Sequence, residues 1–352
     1  MIFLGDIACP DERVDAFNEA IANSKCFDNE VVILNLEATF AESGQGFADE
    51  TLFNSKKVLD AFLHKGKKVI VSLANNHMYD YPNRIVPTMK YLSNKGVGMF
   101  GICETDGQVK PYVYEDELGN KHAFFGHCWR LYTQTNVNRV NNVRVVDHAY
   151  SDFINIVSQY IKCNPETKVY CFMHWNYDLE KLPFPQHLNV ARKLIDNGAS
   201  CVIGSHSHRP QAAEMYKGKP IAYGLGNFYL PSNMYFSGKL GYPACSKETY
   251  ALLISEGKAK IQWFRTDDPQ QKFVVVENGI EAFKGKRIAG ISNMLELPMS
   301  QYVSYFRKNR LKRTFVPVFI EYSGFMNRMK ESFAILCVKI IRKLKQPQIR
   351  NY

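Results

Sequence analysis

Three features that would place the chain in a special class are missing from its 352 residues. No apolar run approaches the 18 residues that a transmembrane helix needs. The nine cysteines are scattered singly, without a C-x-x-C pair, which argues against a disulfide framework. The first ten residues, MIFLGDIACP, lack the basic residues of a secretory signal peptide. We therefore expect a cytoplasmic protein with reduced thiols.

Residues 1–283 also lack a large net charge. The whole sequence carries a formal charge of +10, but Lys284–Tyr352 contains 15 Lys or Arg and 3 Asp or Glu, a balance of +12. The remaining residues contain 29 basic and 31 acidic side chains, a balance of −2. A nucleic-acid-binding body would carry a basic face, so we do not expect nucleic acid as a partner. The hydrophobic content of 46% is that of a globular protein.

Short apolar runs alternate with segments of helical spacing, which predicts a layered α/β fold with several parallel strands. Helices are predicted over Asp11–Lys25, Ser55–Leu63, Asn83–Lys95, Ser151–Lys162 and Pro183–Asn197. Antiparallel pairs are predicted for Tyr112–Tyr114 with Ala123–Phe125, and for Thr249–Ser255 with Lys260–Arg265. Between them, Arg130–Tyr150 has weak periodicity and is interpreted as an irregular insertion.

Polar side chains follow five of the predicted strands, at the point where each strand ends. These strands are Met1–Leu4 before Asp6, Val31–Leu34 before Glu37, Lys67–Leu73 before Asn76 and His77, Lys168–Met173 before His174, and Cys201–Ile203 before His206 and His208. The carboxyl ends of parallel strands meet at one edge of a sheet, so these side chains are expected in one crevice. Carboxylate, amide oxygen and imidazole together suit Mn, Fe or Zn. Glu37 is the candidate to bridge two cations.

The same blocks, in the order GD … NLE … ANNH-x-x-D … HW … G-x-HxH-x-x-Q-x-x-E … GLGNF, resemble the bacterial capsule-synthesis CapA/PgsA-like family. That family is a branch of the calcineurin-like metallophosphoesterases, and the likeness covers Met1–Pro231. It implies a calcineurin-like metallophosphoesterase sandwich, two β-sheets flanked by helices, with a two-metal site between the sheet ends. We accordingly divide the chain into a catalytic domain, residues 1–268, and a basic, partly helical C-terminal extension, residues 269–352.

The resemblance also implies roles for single residues. Asp6 and His208 would hold one divalent transition metal, Asn76, His174 and His206 the second, and Glu37 would bridge them. A hydroxide between the metals would attack a phosphate ester in line. His77 would contact the phosphate or protonate the leaving group, with Asp80 orienting its ring.

Further residues of the blocks are predicted to line the substrate cleft. They are Asn75, Trp175, Asn176, Asp178, Gln211, Glu214 and Asn227. The five remaining histidines, His64, His122, His127, His148 and His187, match no block and are interpreted as structural or solvated. The segment Gly224-Leu-Gly226-Asn227 lacks the third glycine of a dinucleotide fingerprint. It is interpreted as a tight turn packed under the metal-binding loop.

Two positions depart from the broader phosphoesterase pattern. Ala8 stands where the superfamily usually has a histidine, and Glu37 stands where it has an aspartate. Both departures are typical of the CapA-like branch. They leave one metal with fewer protein ligands.

The C-terminal extension contains a basic amphipathic helix. Its apolar side chains recur at helical spacing, and Lys or Arg residues fill the rest of the surface. The apolar positions are Met326, Met329, Phe333, Leu336, Ile340 and Leu344. This pattern is typical of a helix lying on the anionic inner face of a membrane. A helix packed on the body with a solvated basic face fits as well, and RNA binding is a third interpretation.

Three functions are compatible with these observations. The first is a metal-dependent hydrolase of phosphate esters that serves capsular or extracellular polymer synthesis, acting on a phosphate-ester or polymer-linked substrate. The second is a metal-binding partner without activity in a polymer synthesis or export complex. The third is an amide or ester hydrolase acting on poly-γ-glutamate.

Overall fold

The computed structural model describes residues 1–41, 51–104, 107–133, 143–255, 257–266, 275–283, 285–311 and 317–344. The strands are β1 (Ile2–Ile7), β2 (Val31–Leu36), β3 (Lys68–Ser72), β4 (Gly98–Phe100), β5 (Ile102–Glu104), β6 (Tyr112–Glu115), β7 (Lys121–Cys128), β8 (Val143–Val145), β9 (Lys168–His174), β10 (Cys201–Ser205), β11 (Ala213–Tyr216), β12 (Lys219–Ala222), β13 (Asn227–Tyr229), β14 (Glu248–Ser255), β15 (Lys258–Thr266) and β16 (Val275–Ala282).

The helices are α1 (Asp11–Asn23), α2 (Asp60–Lys65), α3 (Ile85–Asn94), α4 (Arg130–Thr133), α5 (Tyr150–Cys163), α6 (Pro185–Asp196), α7 (Lys286–Ser292), α8 (Met299–Asn309) and α9 (Phe325–Leu344). Short 3₁₀ turns occupy Lys25–Phe27, Asn76–Tyr79, Pro82–Arg84, Ala244–Ser246 and Asn293–Glu296.

Most strands belong to two mixed sheets. The first has the order β16-β15-β14-β1-β2-β3-β4, with β13 also paired to β1, and the second has the order β11-β12-β10-β9-β7-β6. Strands β1 to β4 run parallel, as do β7, β9, β10 and β12. The antiparallel strands lie towards the margins of the sheets. They are β14, β15 and β16 in the first sheet, and β6 at one edge and β11 at the other edge of the second. A separate antiparallel pair joins β5 and β8.

The two sheets pack face to face through an apolar layer. Because side chains alternate along a strand, Phe3 enters this layer while its neighbours Ile2 and Leu4 point to the opposite face of the sheet. Aromatic rings meet across the layer, and the Phe3 and Tyr170 ring centroids are 5.5 Å apart. Alternating inward residues from both sheets fill a sandwich core in this way.

Helices cover the outer faces of the sandwich. Val14, Phe17 and Ile21 form the buried side of α1 and pack with Ile2 and Leu4 of the first sheet. The second sheet is covered on its outer face by α5 and α6, whose buried side chains join those of α8 and α9 in one cluster. The predicted sandwich with a helical C-terminal extension is confirmed by this architecture.

Several predicted boundaries shift in the structure. Strand β1 extends to Ile7, so Asp6 lies within the strand and not beyond its end. The helix predicted from Ser55 begins only at Asp60, because residues 56–59 form turns. The segment Arg130–Tyr150 begins with α4 and contains β8, while residues 134–142 lie outside the described ranges. Residues 267–274, which span the predicted domain boundary, and residues 312–316 and Lys345 of the predicted extension lie outside them too.

The described part of the C-terminal extension packs against the body. Tyr302 is buried and its hydroxyl donates a hydrogen bond of 2.6 Å to the Pro183 carbonyl. Phe306 and Phe319 both lie against Phe184, with ring centroids 5.5 Å away. The division of the chain near residue 268 stays a prediction.

All nine cysteines carry free thiols. Among the described residues, no helix is both long and apolar enough to cross a membrane. The cytoplasmic location stays a prediction.

Candidate metal centre

Strand register brings the polar blocks of the sequence together. In the first sheet Asp6 pairs with Asn35 on one side and with Asn227 on the other. In the second sheet His174, the last residue of β9, pairs with Ser205, the last residue of β10. Because all these strands end at one edge of the sandwich, their last side chains and the loops that follow them form a single cluster.

Carboxylates and amides form one half of the cluster. Asn35 donates through Nδ2 to Asp6 Oδ1 at 2.8 Å and also to Glu37 Oε2. Asp6 Oδ2 accepts the backbone N–H of His206 at 3.0 Å. Asn35 was not predicted as a site residue, although it stands in the NLE block. Its role follows only from the register that aligns it with Asp6.

Three imidazoles form the other half. His174 Nε2 lies 2.8 Å from Asn76 Oδ1 and 3.6 Å from Glu37 Oε1. Its Nδ1 lies 3.0 Å from Ser205 Oγ, a contact that orients the ring with Nε2 towards the acidic groups. The structure thus brings His174, Asn76 and Glu37 close together, and their roles as metal ligands stay a prediction.

The other two histidines lie on the loop after β10. His206 Nε2 is 3.0 Å from Asp178 Oδ1. His208 Nδ1 is 2.9 Å from Asn227 Oδ1 and 3.7 Å from Asp6 Oδ2. Asn227, predicted to contact substrate, therefore contacts His208, and its amide is placed to orient that ring. Asp178, also predicted to contact substrate, lies among the imidazoles.

The cluster is shielded from water, and this controls its protonation. Asp6, Glu37, His174, His206 and His208 are all buried. Burial, and then the neighbouring Asp6 carboxylate, raises the pKa of Glu37 well above its ordinary value. Burial lowers the pKa of His174 and of His208. Neutral imidazoles with available lone pairs are the form that binds a cation.

The donor atoms fit a metal site. Among the described residues, Glu37 Oε1 and His206 Nδ1 are buried and make no hydrogen bond, while His206 Nε2 has only the Asp178 carboxylate beside it. Burying such groups without a partner is costly, and a bound cation would remove that cost. Two sets of residues each offer three donor atoms that lie within 4.8 Å of one another. The first set is Glu37, His174 and His206, and the second is Asp178, His206 and His208. His206 belongs to both sets.

The loops that carry these residues contain strained backbone. Ala38, Asn176, His206 and His208 have positive φ values of 80°, 75°, 79° and 54°. This region is unfavourable for residues other than glycine, and such strain persists where surrounding structure holds it in place. The left-handed turns present both imidazoles of the HxH block to the cluster.

His77 lies at the rim of the cluster, where it is partly exposed. Its Nδ1 is 2.7 Å from Asp80 Oδ2, and its Nε2 is 3.7 Å from Glu37 Oε1. The carboxylate of Asp80 holds the ring with Nε2 on the side of Glu37. The catalytic roles that the resemblance implies for this pair stay a prediction.

Four other predicted substrate residues are held by structural contacts. Asn75 caps the 3₁₀ turn Asn76–Tyr79, accepting from Met78 N at 3.2 Å. Trp175 is buried, donates to the Tyr223 carbonyl and stacks on His187. Asn176 and Gln211 donate from their side-chain amides to the carbonyls of Leu182 and Glu180. Their part in substrate binding stays a prediction.

Glu214 is engaged on the helix-covered side of the second sheet. It accepts two hydrogen bonds of 2.8 Å from Arg192 of α6 and one of 2.6 Å from the Tyr223 hydroxyl. The structure does not bring Glu214 into the cluster. Its predicted contact with substrate is not tested.

The five histidines interpreted as structural or solvated lie outside the cluster. His127 is buried, its Nε2 is 2.8 Å from the His148 carbonyl, and burial lowers its pKa to about 4. His187 lies in the aromatic core, and His64 is exposed on α2. The GLGNF segment forms a close turn, in which the Gly226 carbonyl accepts from Asp6 N at 3.1 Å.

Comparison with known proteins places these features in a family. The chain is similar to the capsule biosynthesis protein CapA of Bacillus anthracis, with 27% identity over 168 residues, 45% of this chain and 39% of that protein. It is 25% identical over 239 residues to a probable polyglutamine synthesis accessory protein of Mycobacterium tuberculosis, covering 63% and 61% of the two chains. The match thus spans less than two thirds of either relative.

Among solved structures, the NAD nucleotidase of Haemophilus influenzae aligns with a TM-score of 0.37 and 12% identity, covering 94% of this chain and 54% of that one. That score is too low to bear on the chemistry of the site. The family model described as bacterial capsule synthesis protein PGA_cap matches residues 7–232, well over half of the chain and every block of the cluster except the one that holds Asp6. The chain belongs to this family of bacterial capsule synthesis proteins.

Proposed function

We propose that the protein is a metal-dependent hydrolase of phosphate esters that serves the synthesis of a capsular or extracellular polymer. One observation carries the proposal. Glu37 Oε1 and His206 Nδ1 are buried without hydrogen bonds, among further oxygen and nitrogen donors. Such a constellation is costly on its own and is explained by the cations that it would hold.

The residues divide between two cations with Glu37 beside both. His174, Asn76 and His206 would hold one, and Asp6 and His208 the other. Asp178 would be a further ligand for the second and would make up for the missing ligand at Ala8, because its carboxylate lies with His206 and His208. Two divalent transition cations, Mn, Fe or Zn, would polarise a phosphoryl group and offset the charge that develops on it.

The protein's own residues then handle the proton and the geometry. Asp80 holds His77 Nδ1, so Nε2 faces the centre and is placed to give a proton to the leaving oxygen. Asn35 fixes Asp6 and Glu37 relative to each other. Ser205 and Asn227 fix the rings of His174 and His208.

Metal analysis combined with an activity assay tests the proposal. The full-length protein is measured for metal per chain and for hydrolysis of an aryl phosphate and a bis-aryl phosphate. We expect two transition metals and measurable turnover. His77→Ala should lower kcat by about 10²–10⁴-fold, the usual contribution of a general acid. His64→Ala is the matched control, because His64 is an exposed histidine on α2, and it should leave kcat unchanged.

The other outcomes correspond to the two alternatives. Bound metal without turnover of any phosphate ester would favour a metal-binding partner in a polymer synthesis or export complex. Cleavage of poly-γ-glutamate without phosphatase activity would favour the amide or ester hydrolase.

A further inference from the structure

Helix α9 packs on the body through one face. Ala334 is fully buried, and Asn327 and Glu331 are nearly so. Asn327 Oδ1 accepts from Gln186 of α6 at 3.3 Å, and the helix also lies against α4. This inner face fixes the direction in which the rest of the helix points.

The outer face of α9 is apolar and exposed. Six large side chains on it are between 47% and 72% exposed: Phe325, Met326, Met329, Phe333, Leu336 and Ile340. From Met326 onwards they follow one another at steps of three or four residues, so they form one stripe along the helix. They account for six of the ten exposed large hydrophobic residues of the described chain, so the stripe is concentrated and not scattered. Concentrated exposed apolar surface marks an interaction site.

Basic side chains border this stripe. Arg328, Lys330 and Lys339 are exposed. At 100° per residue, Arg328 and Lys339 lie along one edge of the stripe and Lys330 along the other. In sequence the helix carries five Lys or Arg and one acid, Glu331, which lies on the buried face. The exposed surface of α9 is therefore apolar in the middle and positive at its edges.

We propose that α9 docks the protein on the surface of an anionic lipid bilayer, lying in the membrane plane with its apolar stripe inserted. An apolar stripe flanked by long basic side chains matches the boundary between acyl chains and acidic headgroups. A second copy of the same face fits less well, because it would bring the two sets of basic edges together. The stripe lies outside residues 7–232, so it is a feature of this chain beyond the family match.

Docking by α9 would bring the metal centre close to the membrane. Helix α4 lies against α9, and the Tyr132 ring of α4 has its centroid 4.1 Å from that of His206. The proposal does not depend on hydrolytic activity, since it concerns only where the protein binds.

Flotation of the full-length protein with vesicles tests the docking. One set of vesicles contains phosphatidylglycerol in phosphatidylcholine, and the other contains phosphatidylcholine alone. We expect flotation with the anionic set, weakened by added salt. The double variant Phe333→Ser/Leu336→Ser should lower partitioning on the order of 100-fold. Leu118→Ser is its control, because Leu118 is a more exposed apolar residue, at 87%, in the β6–β7 turn.

A charge variant separates lipid docking from other occupants. Arg328→Glu/Lys339→Glu should lower partitioning by roughly tenfold or more, whereas Lys121→Glu/Lys219→Glu, at exposed positions elsewhere, should not. Thermal melting confirms that each variant is folded. Protein that stays with neither vesicle set, or that floats equally well in every variant, overturns the proposal. Self-association that disappears in Phe333→Ser/Leu336→Ser would overturn the proposal and indicate an interface between two copies of the chain. RNA binding that is lost in Arg328→Glu/Lys339→Glu would overturn it and indicate an RNA-binding surface.

Discussion

Replacing Asp178 by alanine removes a carboxylate oxygen that lies 3.0 Å from His206 Nε2. If Asp178 completes the site that Ala8 leaves short, the variant should lose affinity for one cation and keep the other. The retained cation is the one assigned to His174, Asn76 and His206, because the contacts of His174 with Asn76 and Glu37 do not involve Asp178.

The size of the effect follows from ligand loss. Removing a residue that only orients a ligand already weakens metal binding roughly 10–100-fold, so removing a ligand should weaken it by about 100-fold or more. Metal at about 1,000 times its Kd stabilises a fold by roughly 4.1 kcal/mol, and at about 10 times its Kd by roughly 1.4 kcal/mol. With an unfolding entropy of about 2.1 cal/mol/K per residue and 352 residues, the difference corresponds to a Tm lower by about 4 °C.

Calorimetry with and without metal, together with metal analysis after dialysis, measures both effects. Glu166→Ala is the control, since Glu166 is an exposed acid in the turn before β9. Two metals retained by Asp178→Ala, with an undiminished rise in Tm on metal addition, would refute the ligand assignment. A Tm that falls equally with and without metal would show that Asp178 supports the fold and not the cation.

Three further predictions concern the buried groups. Burial, and then Asp6, raise the pKa of Glu37 in the folded protein. The charged carboxylate therefore destabilises the metal-free fold at neutral pH. This loss of stability disappears as the pH falls towards 4.5, the pKa of Glu37 in the unfolded chain. Glu37→Gln should therefore raise the metal-free Tm near pH 7 but not at low pH, and weaken metal binding, as melts across pH would record. Gly5→Ala should lower the free energy of unfolding by about 1–3 kcal/mol or more, because the new Cβ would lie 1.8 Å from a backbone carbonyl oxygen. Its control is Gly290→Ala in α7, where the added Cβ meets open space. That variant should raise the free energy of unfolding by about 0.5–1 kcal/mol, and denaturant unfolding measures both changes. Tyr302→Phe should lower the free energy of unfolding by about 1–3 kcal/mol, because it leaves the buried Pro183 carbonyl unpaired. The control Tyr305→Phe should change it by no more than about 0.5 kcal/mol. We expect the C-terminal extension to unfold with the body, and two separate unfolding transitions would contradict this.

Much of the candidate site could be predicted from the sequence because strand ends are local features. An apolar run followed by Glu37 or His206 is visible in ten residues, and the carboxyl ends of parallel strands share one edge wherever the strands stand in the chain. The roles of Asp178 and Glu214 could not be predicted in this way. Both are acids a few residues beyond a histidine block. Only the fold pairs Glu214 with Arg192 and places Asp178 beside His206.

Asn35 shows the same limit within a single strand. It is one residue among six in β2, and nothing in its neighbours distinguishes it from a polar residue at a sheet edge. The pairing of β1 with β2 places it opposite Asp6 and within reach of Glu37. A contact set by register between strands about 30 residues apart is not encoded in local spacing.

The sequence by itself determined the kinds of donor atoms, the alternation of strands and helices, and the amphipathic period of the last helix. The tertiary structure decided which donors meet and which face of α9 is covered. The period alone allowed either a helix packed on the body or a helix facing a membrane. The structure shows a packed inner face at Ala334 and an exposed apolar stripe opposite it. The physical reason is that a period fixes which side chains share a face, whereas burial depends on what the rest of the chain places against that face.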